Sequence, residues 1–169
     1  MSSSKKRTIG TSIVVLLFLA VFVLLSFTRT GTSPVHAKSA IANSACTGNG
    51  CDRKSPVTLE CAKDAFIAKS ANFPGGVVEI LFSNSCHAGW GFIKFDKALP
   101  SGLFGDAQIA RTDGKFLGCS DQGGQGIVRP GGTTCYTPML GDITPNTVFV
   151  AGLSWNGTSW VQIATTQRF

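Results

Sequence analysis

Val77-Val78-Glu79-Ile80-Leu81-Phe82 and Trp90-Gly91-Phe92-Ile93-Lys94-Phe95 face each other across Ser83–Gly89. Both runs are β-branched and aromatic, too short for helices and bounded by turn residues, so they read as an antiparallel strand pair. Pairing Glu79 with Lys94 and Leu81 with Phe92 sorts the side chains by face. Val78, Ile80, Phe82, Ile93 and Phe95 then point to a core, while Glu79, Lys94, Leu81, Phe92 and Trp90 share the opposite face. The cross-strand charge pair supports that register.

Outward from this pair, the chain alternates short strands with turns. Residues 38–56 read as an irregular segment. Ser55-Pro56 opens a short helical turn, Ser as cap and Pro at the first helical position, ending by Asp64. Phe66–Ala71 reads as a strand, followed by the turn Asn72-Phe73-Pro74-Gly75-Gly76. Asp113-Gly114 predicts a type I′ hairpin between Ala107–Thr112 and Lys115–Cys119, and Asn156-Gly157 another between Val148–Trp155 and Thr158–Thr165. A two-residue loop there sets Trp155 against Thr158 and Leu153 against Trp160, with Trp155, Leu153 and Trp160 on one face and Val150, Val161 and Ile163 on the other. Ser120–Gly126 is a Gly/Gln loop without core residues. The expected fold is mostly β: a small antiparallel barrel or sandwich over residues 57–169, with one short N-terminal helical turn.

The N-terminus has the order of an export signal. Lys5, Lys6 and Arg7 precede the unbroken apolar run Ile13–Leu25, and Val35-His36-Ala37 offers small or aliphatic residues at −3 and −1 of a cut after Ala37. Residues 1–37 therefore read as a signal peptide, with an uncleaved membrane anchor as the alternative. The apolar run is short of the roughly 20 residues a bilayer span needs. The expected location is secreted, or membrane-anchored with the domain outside, the membrane being touched only through this segment.

Removing residues 1–37 changes the charge. Four of the 15 Lys+Arg and none of the 9 Asp+Glu lie there, so the remainder holds 11 cations against 9 acids. The basic isoelectric point belongs largely to the leader and is no argument for nucleic-acid binding. Cys46, Cys51, Cys61, Cys86, Cys119 and Cys135 all follow the signal, which in an exported chain reads as three disulfides. Six cysteines admit fifteen pairings. The preferred one joins neighbours: Cys46–Cys51, Cys61–Cys86 and Cys119–Cys135. A zinc site is the rival, but the chain has no Cys-x-x-Cys and the compartment is oxidising.

Cys46-x4-Cys51, Pro56-x4-Cys61-x2-Asp64-Ala65, Val78-Glu79-Ile80 running into Ser83-x2-Cys86-x3-Trp90, and the later Thr137-Pro138-Met139-Leu140 resemble the YjfA-like family of secreted bacterial proteins, domain of unknown function 2690. The resemblance covers most of residues 46–169. It implies an exported domain of Gram-positive-type bacteria and supplies no activity. Three positions depart from the family pattern: Ser55 stands where Asp is usual, and Leu81 and Phe92 stand where Arg is usual. An ionic strand face has become apolar, so a ligand held through those arginines is not carried over to this chain.

No catalytic set can be nominated. His87 is the one histidine after the signal, and a base or metal ligand there would work with Glu79 or Asp64. No Gly-x-Ser-x-Gly supplies a nucleophile. Most acids fall in turns where Asp is common anyway, and Glu79 has Lys94 as its ion-pair partner. Gly123-Gly124-Gln125-Gly126 lacks the Lys-Ser/Thr ending of a phosphate loop. No cofactor is implied. What remains is aromatic and apolar surface: Leu81, Trp90 and Phe92 on one face, Trp155 and Trp160 on another. The leading expectation is a non-catalytic binding or interaction module contacting a cell-wall glycan or an extracellular protein. The alternatives are a small extracellular or cell-wall-active hydrolase using His87 and carboxylates, and a disulfide-hardened inhibitor acting through Ser120–Thr134.

Overall fold

Apolar residues on alternate positions of short strands must be buried from one side, and in the computed structural model two sheets do this for each other. The structure describes residues 45–169; the signal or anchor reading falls outside them. One sheet holds β1 (Ala65–Phe73), β2 (Gly76–Ser83), β3 (Ala88–Phe95) and β6 (Thr134–Tyr136) in that order, with β7 (Leu140–Gly141) also pairing β3. The other runs β5 (Phe116–Gly118), β4 (Phe104–Arg111), β8 (Val148–Trp155) and β9 (Trp160–Thr165). All pairings are antiparallel. The fold is a disulfide-bonded β-sandwich, not a closed barrel.

Val78, Ile80 and Ile93 meet Ile109, Val148 and Val150 between the sheets, together with Leu117, Val128 and Leu140. The C-terminus closes one side. Phe169 exchanges both backbone hydrogen bonds with Val148 at 2.9 Å, and its ring lies edge-on to Phe82 at 5.4 Å.

The β2–β3 faces are as the alternation predicts, but the register is two residues away. Val77 pairs Lys94, Glu79 pairs Phe92 and Leu81 pairs Trp90. The turn sets this. Ser83 closes it by accepting the Cys86 N–H at 3.1 Å and donating its own hydroxyl to Asp64, which leaves only residues 84–87 between the strands. A two-residue slip preserves faces because the side-chain period is two. Leu81 and Phe92 thus become diagonal neighbours rather than an opposed pair.

Both short hairpins also differ from expectation. In the β4–β5 turn only Gly114 has positive φ, at 90°, and Arg111 N bonds Lys115 O at 2.8 Å, giving a three-residue loop. In the β8–β9 turn Trp155 pairs Trp160 and Leu153 pairs Gln162, so the loop is residues 156–159. The physical reason is shared. Asp113 Oδ1 accepts from Lys115 N (3.3 Å), and Asn156 Oδ1 accepts from Thr158 N and Ser159 N (3.0 and 2.9 Å). A side chain that caps the turn itself favours a longer loop over the type I′ turn.

The segment before β1 is laid across the outer face of β3. It contains 3₁₀ turns at Gly48–Cys51 and Cys61–Asp64, and the Ser55 hydroxyl accepts the Thr58 N–H at 3.3 Å as a cap should. Its path needs close backbone approach: a Cβ on Gly141 would sit 1.7 Å from the Gly48 carbonyl oxygen. Disulfides join Cys46–Cys51, Cys61–Cys86 and Cys119–Cys135, the neighbour-to-neighbour pairing.

Candidate functional site

The two aromatic surfaces expected from sequence have different fates. On the outer face of the β1–β2–β3 sheet, Trp90 is 2% exposed. It packs with Cys51, Cys61, Cys86, Ala88 and Met139 in a second, smaller core made by the N-terminal segment. That removes Trp90 from any contact surface. The segment covers only one end of the face, and Leu81 and Phe92 stay half-buried beside exposed Ile67. Glu79, opposite Phe92, has its carboxyl pushed up by burial against the opposing pull of Lys94.

The outer face of the β4–β8–β9 sheet keeps its aromatics accessible. The register places Phe104 opposite Trp155 and Trp155 opposite Trp160, so three aromatic residues form one row across three strands. The two indoles meet edge-to-face with ring centres 5.8 Å apart, a favoured aromatic geometry. Trp160 is 41% exposed, and Trp155 and Phe104 are half-buried. The next row is Asp106, Leu153 and Gln162, with the Gln162 side chain exposed. The face thus offers flat rings beside an amide.

Asp106 does not fit the expectation that acids fall in turns. It lies in β4, is 6% exposed, and accepts the Cys119 N–H at 3.0 Å. Burial pushes its carboxyl up to about 6, working against that hydrogen bond, with the Asp121 charge adding to the rise.

A cleft of about 530 Å³ is lined by Thr47, Asn49, Phe82, His87, Asp142 and Ile143 among others. His87 and Asp142 both hold φ of 47°, and Asp142 N donates to His87 O at 3.3 Å. The cleft thus brings His87 and Asp142 to one wall, whereas the sequence alone sets His87 against Glu79 or Asp64. Asp64 is engaged elsewhere. Its carboxylate takes the Ser83 hydroxyl and the Ser85 N–H (2.8 Å), which hold it below its ordinary value despite desolvation pulling the other way. Among the described residues no hydrogen bond or ion pair ties the His87 ring to a carboxylate, so a base and its orienting acid are not assembled.

The best-connected charge is Arg111, 4% exposed at the end of β4. It bonds Asp113 through both Nε and Nη2 (3.0 and 2.7 Å), Asn49 Oδ1 at 3.3 Å and the Gly141 carbonyl. Asp52 stands 3.6 Å away, itself bonded to Lys115 and to Gly141 N. This network fastens the N-terminal segment to the sandwich. Four sulfurs, those of Cys46, Cys51, Cys61 and Cys86, lie within 4.8 Å of one another, the spacing of a metal cluster, but they are consumed as two disulfides. Nor does Ser120–Thr134 protrude: Gln125 N bonds Tyr136 O, Gly126 N bonds Cys119 O, and Val128 is buried against Gly105.

These features define a small antiparallel sandwich, hardened by disulfides, with an aromatic outer face and no catalytic set assembled among the described residues. The chain belongs to the family described as protein of unknown function (DUF2690), which it matches over residues 49–151. It is 39% identical over 108 residues to an uncharacterized protein, YjfA, of Bacillus subtilis (strain 168), an alignment covering 60% of this chain and 69% of that protein. No solved structure matches.

Proposed function

We propose that this is an exported, non-catalytic binding module that holds a saccharide ring of a cell-surface glycan against the Phe104–Trp155–Trp160 row. The observation that carries the reading is the exposed Trp160 indole in register with Trp155. A pyranose presents C–H groups on one face and hydroxyls at its edge. Indole rings take the first and a neighbouring amide such as Gln162 takes the second. Export is supported by the charged, apolar and small-residue order of residues 1–37 and by three disulfides, which persist in oxidising compartments.

The test is titration of the secreted protein with soluble cell-wall oligosaccharides while following tryptophan emission. Trp90 is buried, so a saturable change should come from Trp155 and Trp160. Emission that stays flat at millimolar saccharide would end the proposal.

A further inference from the structure

The two disulfides that staple the N-terminal segment are neighbours in space. Their four Sγ atoms all lie within 4.8 Å of one another, while the third bridge, Cys119–Cys135, has Asp106 as its companion. The four differ in access. Cys51, Cys61 and Cys86 are fully buried, and Cys46 is half-buried at the start of the described chain. Cys51 Sγ is 3.6 Å from the Cys86 carbonyl, and Gly48 N bonds that same oxygen at 2.9 Å, so the first bridge is laid directly over the second.

We propose that Cys46, Cys51, Cys61 and Cys86 form a thiol–disulfide exchange site, in which attack by an external thiol on the first bridge is passed on to the second. An external thiolate, from a small thiol such as glutathione, attacks Cys46 Sγ. A mixed disulfide forms at Cys46, the Cys46–Cys51 bond breaks, and its electron pair leaves on Cys51 Sγ. The Cys51 thiolate is released within 4.8 Å of Cys61 Sγ, so the second bridge is the nearest disulfide it can attack. It attacks Cys61 Sγ, forming Cys51–Cys61 and expelling Cys86 as the new thiolate, which takes up the proton that the external thiol gave up. A second external thiol then clears the mixed disulfide from Cys46 as an oxidised dimer. One protein disulfide is reduced and one external disulfide is formed.

Cys86 is the better leaving group because the Ser85 hydroxyl donates toward its sulfur at 3.9 Å. Hydrogen bonding to the charged form lowers a thiol's pKa, and a lower pKa speeds departure. The product loop is shorter than the one lost: Cys51 and Cys61 are separated by 10 positions, against 25 for Cys61–Cys86.

The experiment is limited reduction of the folded, secreted protein with glutathione, an acid quench, alkylation and peptide mapping. Only molecules that keep Cys119–Cys135 are scored, which sets global unfolding aside. The proposal expects partly reduced molecules labelled at Cys46 and Cys86 and carrying a Cys51–Cys61 bond. Label confined to Cys46 and Cys51, with Cys61–Cys86 intact, overturns it. Cys46→Ser gives a second reading without any reductant, because it leaves Cys51 as a permanent thiol. Alkylation divided between Cys51 and Cys86 supports exchange, and alkylation of Cys51 alone contradicts it. Adding Ser85→Ala to that variant should move the label several-fold back toward Cys51.

Discussion

Arg111 and Asp113 form a two-point ion pair, Nε to Oδ1 at 3.0 Å and Nη2 to Oδ2 at 2.7 Å, at the place where the N-terminal segment docks on the sandwich. The guanidinium side chain is 2% exposed, and it also binds Asn49 and the Gly141 carbonyl from two other segments. Arg111→Leu removes all of these bonds and strands acceptors in a closed space. Leaving the buried Gly141 carbonyl without this donor costs about 1–3 kcal/mol. An unfolding free energy from urea titration lowered by that amount, with faster proteolysis near residues 47–54, is the expected result. Asp113→Asn, changed at the more exposed partner, should lose much less.

Asp106 makes stability depend on mild acid. Its carboxyl is raised to about 6 by burial, while in the unfolded chain it titrates near 3.8. The neutral form is therefore favoured by folding. Its contribution is full below pH 3.8 and is lost as pH rises through about 6, an effect of about 3 kcal/mol at 1.36 kcal/mol per pKa unit. Asp106→Asn keeps an oxygen for the Cys119 N–H and cannot ionise. Denaturation curves for the two proteins should coincide near pH 3.5 and diverge in favour of the variant above pH 6. Parallel curves would contradict the assignment.

The Cys119–Cys135 bridge closes the Gly/Gln loop over β4, with a separation of 16 positions. Replacing both cysteines by Ala should lower unfolding free energy by about 3 kcal/mol, chiefly by releasing loop entropy in the unfolded chain. Equilibrium urea unfolding measures it. The sandwich core should survive, since Ile80, Ile93, Ile109 and Val150 do not depend on the bridge for burial.

Strand identity and facing were legible in the sequence because period-two alternation is a local signal, and Val78, Ile80 and Ile93 are buried as it predicts. Register was not. It depends on Ser83, whose hydroxyl bonds to Asp64 and Cys86 answer to no residue pattern within β2 or β3. The Asn156-Gly157 and Asp113-Gly114 pairs marked turns correctly but not their lengths, since each Asx side chain caps the turn it sits in. Trp90 looked like surface because its cover comes from the Cys46–Asp64 segment, packed there by long-range disulfide and charge contacts. The same remoteness hid Arg111 and the cleft that joins His87 to Asp142.

The row Phe104–Trp155–Trp160 is the central claim, and retention on insoluble cell-wall glycan tests it most directly. The secreted protein and its Trp160→Ala variant are co-sedimented with purified sacculi over a range of protein concentrations, with thermal unfolding recorded for both. Trp160 is 41% exposed and lies on the edge strand β9, so the variant should stay folded, with a modestly lower unfolding temperature from the lost contact with Trp155. The account predicts saturable binding by the parent and at least a tenfold weaker Kd for the variant, equivalent to about 1.4 kcal/mol. Equal retention of the two proteins, or none by the parent, would contradict it.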